Sequence, residues 1–190
     1  MFTQNNNNYS QNGNGANNNG APKEKTNFPV GKIRGNGGRI ETSCWKSQNN
    51  ALYVSVTIRQ EIGKNPDGRT SYEAGLAKDI PSVLFRADEA RALYDYIMTE
   101  KPDTLNFEKS PWKDSKIAFE GSDAGVKVTI TDTKGTRTMT LPSIPVGNRN
   151  MHPNLNNFMF QFKKVIDAAI LYNASEEIIR TASTESGEPF

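Results

Sequence analysis

Apolar and polar residues alternate along two stretches of the chain, and each stretch ends in a segment with helical periodicity. In the first stretch, one face carries Leu52, Val54, Val56, Ile58 and Ile62. A period of two predicts a half-buried β-strand with a polar second face. The turn sequence NPDG at 65–68 predicts a reversal, with 70–77 returning as the paired strand. Together with 40–47, these segments predict an antiparallel meander.

A short amphipathic helix is predicted to close this first stretch. Glu89 stands at the position of a capping-box acid, and Pro102 is expected to stop the helix. Apolar residues recur at i, i+3, i+4, i+7 and i+8, namely at Ala90, Leu93, Tyr94, Ile97 and Met98. This stripe predicts that the helix lies on the apolar face of a sheet.

The second stretch repeats the pattern more faintly. Between 112 and 141, Val126, Val128 and Ile130 alternate with polar residues, and a Thr-Lys-Gly turn leads into 136–141. The closing helix has the strongest stripe in the chain, formed by Leu155, Phe158, Met159, Phe162, Val165, Ile166, Ala169 and Ile170. The predicted fold is α+β, with two antiparallel units of four strands and a helix (about 39–100 and 116–172) in one domain.

The two ends of the chain differ from this core in composition. Residues 1–27 are dominated by Asn and Gly, and such a segment has too little apolar surface to offset the entropy lost on ordering, so a disordered arm is predicted. The core, 28–172, holds 20 Lys and Arg against 16 Asp and Glu. Residues 173–190 hold one Arg against four Glu and are expected to form an acidic flexible tail.

The sequence lacks the residues that several classes of chemistry require. Cys44 is the only cysteine and His152 the only histidine, so an intramolecular disulfide and a multi-thiolate zinc site are excluded. No nucleophile and base, and no pair of carboxylates, have a spacing that indicates catalysis. We therefore expect no enzyme, cofactor or metal. The N-terminus lacks the order of a secretory signal, which indicates a reducing intracellular location, in a bacterium or a phage-infected host.

A polymer-binding surface is better supported. The polar strand faces present Tyr53, Ser55, Thr57 and Arg59 in the first unit and Lys127, Thr129 and Thr131 in the second. Single-stranded nucleic acid is held by such mixtures, because cations contact phosphates and aromatic rings stack on bases. A solvated sheet face with tryptophans in the core is the alternative. The candidate binding residues are Trp45, Lys46, Tyr53, Arg59, Lys64, Arg69, Tyr72, Lys78, Trp112, Lys113, Lys116, Lys127, Lys134 and Arg137.

The last residues of the sequence, TESGEPF, are acidic and end in Pro-Phe. They resemble the acidic tip of bacterial single-stranded DNA-binding proteins, whose terminal Phe and carboxylate dock in basic pockets on replication and repair proteins. The resemblance implies that Glu188, Pro189 and Phe190 bind protein partners. A flexible tether of this kind can also compete with DNA for a basic surface.

The doubled pattern, with VLFRADEARALYDYI closing its first copy, resembles the Whirly fold and its single-unit relatives among transcriptional coactivators. The resemblance spans about 32–172, although the Lys-Gly-Lys-Ala signature of plant Whirly proteins is absent. It implies that the sheets bind single strands and that the helices build homo-oligomers, commonly tetramers or dimers.

The function expected from these features is sequence-tolerant binding of single-stranded DNA, with RNA left open, in replication, recombination or repair. Such a protein would coat and protect single strands, as phage proteins do, and recruit partners through its tip. One alternative is a β-rich structural or assembly protein of a virion. Another is an oligonucleotide-binding barrel, although the position of the strongest helix at the end of the chain favours the doubled unit.

Overall fold

A computed structural model describes residues 28–75, 79–112 and 114–186 of the chain. Eleven strands and two helices are arranged as an α+β fold with antiparallel sheets, which confirms the predicted class. The strands are β1 (Val30–Gly35), β2 (Gly38–Lys46), β3 (Leu52–Lys64), β4 (Thr70–Tyr72), β5 (Ser82–Arg86), β6 (Asn106–Trp112), β7 (Ser115–Ser122), β8 (Gly125–Asp132), β9 (Gly135–Pro142), β10 (Ile144–Val146) and β11 (Arg149–Met151). The helices are α1 (Ala87–Thr99) and α2 (Pro153–Ser186).

The first sheet contains β1 to β5, with β3 at its centre. Strand β3 pairs with β2 along one side, while its other side pairs with β5 over its first half and with β4 beyond. The predicted meander is confirmed for β2 and β3. The return strand is shorter than the predicted 70–77, since β4 ends at Tyr72. A register shift between Glu61 and Gly63 lies within the pairing of β3 with β4, since Glu61 pairs with Tyr72 and Gly63 with Ser71.

The second sheet has the order β6, β7, β8, β9, and a separate hairpin, β10 with β11, precedes α2. The sequence pattern does not predict β6, because among its described side chains only Phe107 packs against the core and the strand contains Pro111. Proline is tolerated at a sheet edge, where its missing N–H breaks no ladder. The register of β6 shifts between Lys109 and Trp112, next to that proline.

Both sheets and both helices contribute to a single hydrophobic core. The α2 stripe is confirmed, because all of its predicted residues are buried except Ile170, which is 38% exposed. Phe158 stacks on Phe162 with ring centroids 5.5 Å apart, and it also contacts Phe119 of the second sheet. Helix α2 therefore joins the two sheets.

The N-terminus of α1 is capped as predicted. The Glu89 carboxylate accepts the backbone N–H of Arg86 at 3.1 Å, and Ala90, Leu93 and Ile97 are buried. Met98, which the stripe also includes, is 52% exposed. The helix ends at Thr99, before a 3-10 turn at Pro102–Thr104 that contains the proline expected to stop it.

The two sheets also meet directly. Asn36, in the turn between β1 and β2, forms two backbone hydrogen bonds with Thr140 of β9, at 2.8 and 3.0 Å. A Cβ atom on Gly35 would overlap the carbonyl oxygen of Thr140 and the Cε methyl group of Met139. Only glycine permits this approach of the two backbones.

Helix α2 continues well past Tyr172, where the sequence predicts the start of a flexible tail. Asn173 is still docked, since its side chain accepts the N–H of Leu52 at 2.7 Å and donates to the Leu52 carbonyl at 3.0 Å. Most residues from Ala174 to Ala182 are exposed. Helix formers continue without Gly or Pro until Gly187, which explains the extension. None of the helices described is long and apolar enough to cross a membrane.

Candidate nucleic-acid interface

The first sheet has one face toward the core and one face away from it, which we call the outer face. The pairing registers place Ile33, Ile40 and Ile58 together on the core side. Since successive side chains alternate, the outer face carries Lys32, Arg34, Arg39, Glu41, Ser43, Trp45, Tyr53, Ser55, Thr57, Arg59, Ser82, Leu84 and Arg86.

One end of the outer face is aromatic. Trp45 and Tyr53 are cross-strand neighbours whose ring centroids lie 5.9 Å apart in an edge-to-face arrangement, and Trp45 is 49% exposed. Together with Leu84 and the turn between β2 and β3, they line a cleft of about 450 Å³. Two separately predicted candidates therefore lie together, and the indole of Trp45 is accessible, as base stacking requires.

The other end of the outer face is basic. Glu41 lies between two arginines: its carboxylate accepts from Arg59 Nε at 3.1 Å and pairs with Arg39 at 2.5 Å. The Arg39 guanidinium lies 4.6 Å from the centroid of the Tyr72 ring. These residues and Lys32 line a cleft of about 490 Å³ beside the hairpin of β3 and β4. Along β2, Arg39 and Trp45 are roughly 20 Å apart.

The centre of the outer face differs from the prediction of an open polar strand. Ser55 and Thr57 are buried, with 8% and 6% of their surface exposed. Their cross-strand neighbours include Leu84 and Glu41, and longer side chains shield short ones at the centre of a sheet. The exposed groups therefore lie toward the two ends of the face, Trp45 at one end and Lys32 and Arg34 at the other, while the Arg59 side chain is only 14% exposed.

The connection that follows β4 crosses the basic end. Arg59 Nη1 donates to the carbonyl oxygens of Glu73 and Gly75, at 3.1 Å in both cases. The Glu73 carboxylate accepts two bonds from Arg137 of β9, from Nε at 3.0 Å and from Nη2 at 2.7 Å. The bond with Arg137 lowers the pKa of Glu73, and the same bond raises the pKa of Arg137.

The predicted cations of the second sheet are held by acidic neighbours. Lys127 pairs with Glu120 at 2.8 Å, and Lys116 with Glu108 at 2.5 Å. Threonine hydroxyl groups of β8 and β9 form cross-strand hydrogen bonds, Thr129 with Thr138 and Thr131 with Thr136. Lys134 donates to the Ile80 carbonyl at 2.7 Å and pairs with Asp132 at 3.1 Å, so it supports the segment before β5.

The remaining candidates are dispersed. Lys46 lies on the opposite side of β2 from Trp45, with its ammonium 5.1 Å from the ring centroid of Tyr172; a hydrogen bond with Tyr172 raises the pKa of Lys46. Lys64 and Arg69 are exposed on the hairpin of β3 and β4. Outside the described residues or side chains lie Lys78, Trp112, Lys113, Glu188, Pro189 and Phe190.

Sequence reasoning missed three cations of the outer face: Lys32, Arg34 and Arg39. They alternate with Ile33 and Ile40, so the signal was a period of two that continues through β1 and β2. The sequence FPVGKIRGNGG at 28–38 was interpreted as a turn first, with an edge strand leading into a basic loop as the alternative, so its cations were not included among the binding residues.

His152 and Cys44, the two residues whose side chains are best suited to catalysis, make contacts that hold the fold together. His152 is 6% exposed, and its Nε2 lies 2.7 Å from Oδ1 of Asp103, so this contact links the start of α2 to the 3-10 turn. The Cys44 thiol lies 3.6 Å from the Val165 carbonyl, and burial raises the pKa of Cys44 to about 11. The thiol is therefore protonated at neutral pH and is a poor nucleophile. Within the described residues, no group of three or more His, Cys, Asp or Glu side chains could hold a metal ion.

Comparison of the chain with protein-family models, with curated proteins and with solved structures finds no match.

Proposed function

We propose that the protein binds single-stranded DNA, independently of sequence, across the outer face of the first sheet. The observation that carries this proposal is the pairing of an accessible aromatic end, Trp45 with Tyr53, and a basic end, Arg39 with Arg59, on one face. An indole stacks on any base, and guanidinium groups contact phosphates whatever the sequence. A flexible single strand can contact both ends, whereas a rigid duplex keeps its bases inside.

The order of the elements supports a Whirly-like architecture as part of the same proposal. Strands β1 to β5 are followed by α1, and strands β6 to β11 by α2, so each half of the chain builds a sheet before its helix. In this proposal the helices hold the sheets together and the first sheet binds the strand. RNA is a second ligand for the same face, because the proposal gives no side chain of this face a contact with the sugar 2′ position, where RNA and DNA differ.

Two further roles belong to this proposal. Homo-oligomers form through the exposed side of the C-terminal half of α2, where Leu171 and Ile178 are each 69% exposed. The acidic segment Glu188–Phe190 recruits proteins of replication or recombination, a role that rests on the sequence alone. Coating by several copies protects a longer single strand than one sheet can contact.

Titration of a fluorescent oligothymidylate with the protein tests the binding role. We expect a rise in fluorescence anisotropy and a preference for this strand over a duplex of equal length. The logarithm of the binding constant should fall linearly with the logarithm of the salt concentration, with a slope of about 0.7 per phosphate contact. Equal affinity for the duplex would contradict the proposal, and so would an affinity that does not change with salt.

A further inference from the structure

The ion pair of Glu73 with Arg137 lies beside the basic end of the outer face and joins two separate elements. Glu73 belongs to the connection after β4, and Arg137 to β9 of the second sheet. The two bonds from Nε and Nη2 to the two carboxylate oxygens form a parallel fork. Arginine binds a phosphate group through the same fork.

We propose that Arg137 is a phosphate subsite of the single-strand interface and that the Glu73 carboxylate occupies it in the free protein. This inference rests on the proposed function. The carboxylate of Glu73 stands in for two phosphate oxygens, so that DNA binds the subsite by displacing it.

The backbone around Glu73 permits this exchange without unfolding the connection. The Glu73 N–H donates to the carbonyl of Gln60 at 2.8 Å, and Arg59 holds the carbonyls of Glu73 and Gly75. The side chain can therefore turn away while the main chain stays in place. Both partners of the ion pair are 24% exposed, so a phosphate can reach Arg137 from solvent.

The cations near the pair favour the incoming phosphate, while Asp132 also lies close enough to Arg137 to contribute to its raised pKa. Arg59 is close enough to Glu73 to contribute to its low pKa, and Arg39 and Lys32 line the adjoining cleft. Glu41 remains between Arg39 and Arg59, with which its carboxylate forms two ion pairs. The Glu73 carboxylate forms an ion pair with Arg137. Fewer ion pairs therefore break when Glu73 turns away than when Glu41 does.

The substitution Glu73→Gln tests the inference, with Glu61→Gln as its control. Glu61 is exposed on β3 and pairs in register with Tyr72, next to Glu73, so both variants lose one negative charge in the same region. We expect Glu73→Gln to raise the affinity for oligothymidylate about threefold to tenfold. The slope of log affinity against log salt concentration should become steeper by about 0.7, the value of one added phosphate contact. Glu61→Gln should give about a twofold gain or less, without a steeper slope.

The double variant Glu73→Gln with Arg137→Gln assigns the effect to the arginine. The gain in affinity and the added salt dependence should both disappear, because the freed guanidinium is no longer present. Thermal unfolding by circular dichroism establishes that each variant is folded at the temperature of the titration.

The outcomes separate this inference from the proposed function. If neither the unsubstituted protein nor Glu73→Gln binds oligothymidylate, the proposed function fails. If the unsubstituted protein binds and Glu73→Gln behaves like Glu61→Gln, the binding role stands and the subsite is excluded. A gain that persists after Arg137→Gln would likewise exclude it.

Discussion

Trp45 is the residue on which single-strand binding depends most directly. Its indole is half exposed, and Tyr53 fixes its orientation from the neighbouring strand. Since neither ring belongs to the hydrophobic core cluster, the pair is available for a ligand at little cost to the fold.

The substitution Trp45→Ala should weaken binding of oligothymidylate by about 1–3 kcal/mol, the usual loss for one stacked base. The salt dependence should stay unchanged, because no phosphate contact is removed. Anisotropy titrations at several salt concentrations measure both quantities. Met98→Ala, a change at an exposed apolar residue of α1 away from the outer face, serves as the control; equal losses in the two variants would contradict the stacking role.

The sequence predicts the surroundings of some candidate binding residues better than those of others. Tyr53 and Arg59 were predicted on one face because alternation within a strand is visible in the sequence, whereas Trp45 was predicted only to lie near them. Lys127 and Lys116 were predicted as ligand cations, yet each is paired with a glutamate on a neighbouring strand. Such a partner depends on the pairing register, which alternation within one strand does not reveal.

At the scale of elements, α2 has two parts with different surroundings. From Leu155 to Asn173 it is docked on both sheets, and beyond Asn173 it projects from the body. The whole helix of 34 residues is roughly 51 Å long. Exposed Ile178 and Ile179 in the projecting part, with Leu171 at the end of the docked part, form an apolar surface that a second copy can cover.

The double substitution Leu171→Gln with Ile178→Gln should therefore reduce the oligomer to a smaller species. The midpoint of thermal unfolding measured on the dilute monomer should hardly change, since both side chains are exposed there. Light scattering after size-exclusion chromatography measures the mass. Met98→Gln, an equally apolar exposed position on α1, should keep the original mass; a monomeric unsubstituted protein would contradict the role of α2.

The elements themselves were predicted unevenly, for physical reasons. Strand β3, helix α1 and the docked part of α2 have strong periods and were predicted close to their observed bounds. Strand β6 was missed because an edge strand with Pro111 needs few apolar residues. The hairpin of β10 and β11 was missed as well, since its short strands are almost wholly exposed and have no core face to mark them.

At the scale of the whole molecule, charge is divided between the body and the last residues. The body is mildly basic, while 173–190 carries four Glu and one Arg. An acidic segment attached to a basic surface competes with a polyanion for it, and salt weakens this competition.

Removal of Gly187–Phe190 should therefore leave the DNA affinity unchanged or raise it, with the larger gain at low salt. Titration of oligothymidylate at low and high salt measures the effect. Replacement of the same four residues by Gly and Ser keeps the length of the chain and separates charge from tether length. A loss of DNA affinity after removal would contradict this role of the segment.

The position of α2 also governs how the chain reaches its fold during synthesis. Helix α2, which packs on the first sheet, is made after the strands of that sheet, and the contact of Leu52 with Asn173 spans 121 residues. Contacts between such distant residues form slowly, because a long loop must close first. On the ribosome, the apolar side of β1 to β3 consequently stays uncovered until α2 has been synthesised. A chaperone that shields this sheet in the interval would raise the yield of folded protein.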